Sequence, residues 1–131
     1  MIMTPLRVLV FGNPMARIDS AAVKIADKLS GRMAGIEFVR FDTSEDLEHE
    51  GKELIILDAV VGLEKPRLVT LEELELSEKP LSLHGFDLLW SLLLLKKLGK
   101  IKKATIIGVP AKQPAAKNLE AVKKLLKKLA E

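Results

Sequence analysis

The chain predicts a three-layer α/β/α sandwich with a mostly parallel, twisted sheet and an edge hairpin. Two observations carry that prediction. Four short apolar runs, at residues 6–11, 36–41, 53–59 and 104–109, are each bounded by turn or charged residues and read as strands. Between and after them lie stretches with helical spacing, and an order of strand, helix, strand demands crossover connections and parallel pairing. The 131 residues contain no repeat, low-complexity linker or composition break, so residues 1–131 read as one domain.

Each element follows from local chemistry. Leu6-Arg7-Val8-Leu9-Val10-Phe11 is closed by Gly12, Asn13 and Pro14 and reads as a buried first strand. Asp19 or Ser20 then caps a helix in which Ala22, Ala26, Leu29 and Met33 recur until Gly31 and Gly35 break the pattern. Ile36 to Phe41 is the second strand, and the acidic stretch Asp42 to Glu50 reads as a short helix with Leu47 its single large apolar residue. Glu53 to Ala59 is a near-continuous apolar strand with one carboxylate, Asp58, at its end. Pro66 to Thr70 and Leu74 to Leu76 read as the edge hairpin, because Pro66 and flanking charges disfavour a central strand. Phe86 to Leu98 is a helix, apolar nearly all round and stopped by Gly99, so it is expected between the sheet and another element. Ala104 to Val109 is a further buried strand. Leu119, Val122, Leu126 and Leu129 form one face of a last helix, with Lys123, Lys124, Lys127 and Lys128 on the other.

Composition narrows the chemistry. With no cysteine there is no disulfide framework, thiolate nucleophile or Cys-ligated metal site. The apolar run Leu88 to Leu95 is far shorter than a bilayer span, and no secretory leader is legible, so the chain reads as soluble and cytoplasmic, with no membrane insertion. Two Asn and one Gln among many Lys and Glu are the composition of a heat-adapted source. Net charge is +3, yet residues 37–78 hold thirteen acids against four bases and residues 96–131 hold eleven lysines against two acids. Those lysines come without Arg and without an aromatic residue beyond Trp90, so base-stacking platforms are missing and no nucleic-acid partner is expected. Neither a G-x-G-x-x-G nor a P-loop follows strand one, so no nucleotide cofactor is expected, and no G-x-S-x-G elbow is present.

In open α/β sheets ligands bind beyond the carboxyl ends of the strands, which singles out Asn13, Asp19, Asp42, Asp58 and the loop around His84. Two Asp and a His offer two oxygens and a nitrogen, a set suited to a borderline divalent metal. Each has a plainer reading as well: Asp19 as a helix cap, Asp58 as a paired buried carboxylate, His84 as a half-buried histidine. His49, within Leu47-Glu48-His49-Glu50, reads as solvated. A phosphoacceptor reading would use Asp58 and Lys112, but it needs acids after strand one to hold Mg²⁺, and Gly12-Asn13-Pro14 stands there.

The segment Gly12-Asn13-Pro14-Met15-Ala16-Arg17-Ile18-Asp19-Ser20-Ala21-Ala22 resembles the G-N-x-L-x-x-D-[DE]-G-x-G stretch of the hydrogenase maturation endopeptidases, which remove a C-terminal extension from the large subunit of [NiFe] hydrogenases. Leu57-Asp58-Ala59 resembles that family's strand-end D-A motif, Ser82-Leu83-His84 with Leu88-Leu89 its S-x-H-x…L-L segment, and Ile106-Ile107-Gly108-Val109 its late I-G-[IV] strand. The order and spacing agree over essentially the whole chain. The chain departs at Ile18, where the family has an acid, at Ser20 and Ala22, where it has glycines, at Asp42-Thr43, which is all that stands for its D-x-G-T segment, and in a short loop after Gly108.

The resemblance implies a nickel-dependent endopeptidase in which Asp19, Asp58 and His84 contact the metal and carry catalysis, with Asn13, Asp42 and Thr43 contacting substrate. Its partner would be a [NiFe] hydrogenase large-subunit precursor, and the nickel would arrive inside that precursor. The altered loop leaves a second reading open, a non-catalytic assembly factor that binds the metal centre without cutting.

Overall fold

The computed structural model describes residues 5–12, 20–41, 47–76 and 85–131. In chain order these form β1 (Leu6–Phe11), α1 (Ala21–Leu29), β2 (Ile36–Phe41), a 3₁₀ turn (Leu47–Glu50), β3 (Glu53–Val60), β4 (Arg67–Thr70), α2 (Leu71–Leu76), α3 (Gly85–Lys97), β5 (Lys103–Pro110) and α4 (Ala115–Ala130). The strands make one five-stranded sheet in the order β2-β1-β3-β5-β4. All neighbours are parallel except β4, which runs antiparallel to β5 at the edge.

Strand alternation splits the core in two. Val8, Val10, Leu57, Ala59, Ile107 and Val109 face α1 and α4, where Val23, Ile25, Val122 and Leu126 close over them. The opposite side chains, Leu9, Phe11, Leu54, Ile56, Val69 and Ile106, pack with Leu47, Leu71 and Leu92 from the 3₁₀ turn, α2 and α3. The three-layer expectation therefore holds, and its buried apolar runs are the signature of strands covered on both faces.

Helix ends follow the sequence closely. Ser20 occupies the N-cap of α1 and its carbonyl accepts from the Lys24 amide at 2.9 Å. Gly99, at φ +75°, ends α3 in a Schellman turn: its amide donates to Lys96 O at 3.1 Å and the Lys100 amide to Leu95 O at 2.9 Å. Of the acidic stretch 42–50, Leu47–Glu50 forms a 3₁₀ turn with Leu47 fully buried, and residues 42–46 lie outside the described residues.

Two expectations are corrected. The edge hairpin is not formed: its first arm is the edge strand β4, but residues 74–76 belong to α2. Thr70 and Glu73 make a capping box that starts a helix where the hairpin's return strand was expected. Thr70 Oγ1 accepts from the Glu73 amide at 3.1 Å, and Glu73 Oε1 accepts from the Thr70 amide at 3.3 Å. Arg67 reinforces the box through Glu73 Oε2 at 2.9 Å, and Lys96 ties α3 to α2 through Glu72 at 2.8 Å. The second correction concerns α3, which is not enclosed all round. Leu92 is fully buried, whereas Trp90, Leu94 and Leu98 project into solvent, and among the described residues no further element covers that side.

Candidate functional site

The sheet order places β1 between β2 and β3, so the chain leaves β1 towards one side and returns on the other. That reversal opens a crevice at the carboxyl ends of β1 and β3, the place where open α/β sheets hold ligands. The register shows where the crevice begins: β1 and β3 pair at Leu9 with Ile56 and Val10 with Leu57, and no further. Asp58 is the next residue of β3.

Asp58 is fully buried, and alternation turns it to the side shared with Leu54 and Ile56 rather than with Leu57 and Ala59. It sits two residues before the end of β3, still paired with Gly108 of β5, because the β3–β5 ladder runs on to Val60 and Pro110. A carboxylate in such a place is retained only when donors or a cation compensate its charge. Arg67, which pairs with Gly108 one strand further out, is committed to Glu73 Oε2 at 2.9 Å and Leu68 O at 3.1 Å.

The neighbours of Asp58 shape that environment. Phe11, at the end of β1, stacks on Phe41 of β2 with ring centroids 5.9 Å apart, so an aromatic wall stands on the β1 side. On the β5 side Gly108 has no side chain, and a Cβ there would meet Leu63 Cδ1 at 2.8 Å and Val60 Cγ2 at 3.1 Å. Leu63, from the turn after β3, is thereby admitted against the sheet. Neither Phe11, Phe41 nor Gly108 stands among the site residues expected from sequence. The legible signal was Gly108 itself, since a glycine inside a strand marks a close approach of another group.

Of the expected site residues, the structure describes Asp58. Asn13, Asp19, Asp42, Thr43 and His84 lie outside the described residues, although Ser20 and Gly85, next in sequence to Asp19 and His84, open α1 and α3. Among the described residues no three His, Asp or Glu side chains group as a metal site. His49 is exposed, as expected, with Nε2 3.8 Å from Glu48. On the α1/α4 side a cleft of about 530 Å³ is lined by Ser20, Lys24, Lys112, Gln113 and Pro114. A larger one of about 630 Å³, around Pro5, Gly35, Glu53 and Ala130, is at the opposite edge of the sheet and far from Asp58, so size alone does not mark the site.

No family model matches the chain, and no curated protein sequence matches it. Among solved structures, the crystal structure of the Hydrogenase 3 maturation protease matches with a TM-score of 0.62 and 22% sequence identity, covering 92% of this chain and 88% of that one. The two proteins share a fold. Asp58 lies at the topological switch point of this sheet. Among the described residues no helix is long and apolar enough to cross a membrane.

Proposed function

We propose that this protein is a hydrogenase maturation endopeptidase, which removes the C-terminal extension of a [NiFe] hydrogenase large-subunit precursor once nickel is in place. One coincidence carries the reading. Asp58, the residue matching that family's strand-end D-A motif, is buried at the mouth of the β1–β3 crevice, in a fold shared with a maturation protease over 92% of the chain.

In this reading Asp19, Asp58 and His84 meet the nickel that the precursor carries, and Asn13, Asp42 and Thr43 hold the peptide around it. Nickel carried by the precursor would supply a Lewis acid able to polarise the scissile carbonyl or a bound water. Asp58 brings a carboxylate whose backbone is fixed in the β3–β5 ladder, so little reorganisation is needed when substrate enters. The low-polarity surroundings strengthen its attraction for a cation and exclude bulk water. Ala22, where the family has glycine, is fully buried inside α1, a position that suits alanine.

The test is incubation of the protein with nickel-loaded and nickel-free large-subunit precursor, reading the mass of the C-terminal product. Cleavage of the nickel-loaded form alone is expected, together with its loss in Asp58→Asn and His84→Ala variants that keep the wild-type circular dichroism. Normal processing by both variants would remove Asp58 and His84 from the site. Co-elution with nickel-loaded precursor without cleavage would replace the endopeptidase by the assembly factor.

A further inference from the structure

The outer side of α3 carries more apolar surface than a solvated helix needs. Trp90, Leu94 and Leu98 follow one another at four-residue spacing and are 64%, 57% and 61% exposed, while Leu92 on the reverse side is fully buried. They account for three of the four exposed large hydrophobic side chains among the described residues, so the exposure is concentrated rather than scattered. The foot of the helix is cationic. Lys97, Lys100, Lys102 and Lys103 are exposed and make no ion pair with a described residue, whereas Lys96 is held by Glu72.

The stripe also points along a useful direction. α3 leads into β5, whose first residue Lys103 pairs with Glu53 at the start of β3, so the C-terminal end of α3 lies at the sheet edge opposite Asp58. At ~1.5 Å per residue its 13 residues span about 20 Å, which brings its first turn to the Asp58 edge. A partner laid along Trp90, Leu94 and Leu98 therefore runs from the lysine foot in the direction of that edge.

We infer that this stripe docks the protein substrate, through an apolar segment of the precursor flanked by carboxylates. The inference rests on the endopeptidase reading for the identity of the partner. Size and charge decide between occupants. Three such side chains expose on the order of 300 Å², typical of a functional patch on a monomer. Doubled in a self-association, that falls well short of the roughly 1,200 Å² of a stable interface, and a second copy brings the same lysine rim. An enzyme that must release its product needs a contact of this modest size, and lysines beside it that pair with no described residue select acidic partners and speed encounter.

Trp90 is the only tryptophan, so replacing it with 5-fluorotryptophan leaves one ¹⁹F signal on the stripe. Titration with unlabelled nickel-loaded precursor should shift or broaden that signal, less so at high salt. A Leu94→Glu, Leu98→Glu variant should raise KM about tenfold with kcat little changed, while Lys117→Glu on α4 leaves KM alone. Cleavage with an unmoved ¹⁹F signal and an unchanged KM would overturn the docking surface and leave the endopeptidase standing. A moved signal without cleavage would sustain the docking surface and sink the endopeptidase. Absence of both would sink both. A signal that moves with the protein's own concentration, or with vesicles of phosphatidylcholine and phosphatidylserine, would assign the stripe to a second copy or to a membrane and overturn the inference.

Discussion

The two faces of the sheet are covered by helices of opposite character. α4 buries Ala115, Asn118, Val122 and Leu126 and turns Lys123, Lys124, Lys127 and Lys128 outwards, so its pattern says which side packs. α1 does the same with Val23, Ile25 and Leu29 inside and Lys24 and Lys28 outside. α3 buries Leu92 and exposes Trp90 and Leu94 although all three are apolar. The difference teaches that an amphipathic helix declares its inner face, whereas a uniformly apolar one declares only that both faces seek cover. Here one face finds the sheet and the other remains outward, on the side that also carries Asp58.

Truncation along α3 gives the largest test of that contrast. Leu92→Ala should cost about 2–5 kcal/mol, as should Leu126→Ala on α4, because both open a cavity in a fully buried cluster. Leu94→Ala should stay within about 0.5 kcal/mol, although it lies two residues from Leu92. Urea denaturation of the three variants decides it. Equal losses at Leu92 and Leu94 would mean that both faces of α3 are packed.

A smaller effect is expected at Gly108→Ala. The new Cβ meets the tip of Leu63 and the fixed Val60 Cγ2, so overpacking should cost about 1–3 kcal/mol and displace Leu63 beside Asp58. A loss of processing greater than the loss of stability would sharpen the assignment of the site to this face. Thr70→Ala should cost about 1 kcal/mol by removing the capping box, while Thr105→Ala, directly across the strand pair, has no cap to lose.

The smallest effect is electrostatic. The Arg67 hydrogen bond, helped by the Thr70 amide, holds the Glu73 carboxyl below its ordinary value, and Lys96 does the same for Glu72. A carboxyl whose pKa is lower in the folded state stabilises the fold at neutral pH, and that stabilisation fades as pH falls from the ordinary carboxylate value through the folded one. Both groups are exposed, so salt should erase most of the effect. Carbon-detected NMR titration of the two carboxyls should find both midpoints below the ordinary glutamate value.

Much of the fold was legible in the chain because its local signals agree with its packing. β1, β2, β3 and β5 stand where their apolar runs place them, α4 follows its leucine spacing, and Gly99 ends α3. The edge hairpin failed because Leu74-Glu75-Leu76 alternates apolar and acidic residues closely enough to pass for a strand, and the Thr70–Glu73 capping box that overrides it is a two-residue signal easily lost among acids. Asp58 was legible as a carboxylate in an apolar strand. That it lies one residue past the last β1–β3 rung, beside Gly108, was not.

The sequence by itself determined the four parallel strands and the main helices, which face of α1 and α4 is inward, and that a carboxylate stands near the end of the apolar β3, because these depend on periodicity and on residues adjacent in the chain. Tertiary structure decided the strand order that opens the crevice at Asp58, the antiparallel edge taken by β4, and which side of α3 faces water. Those depend on contacts between segments tens of residues apart, and a stretch of leucines carries no mark of which of its faces the sheet will claim.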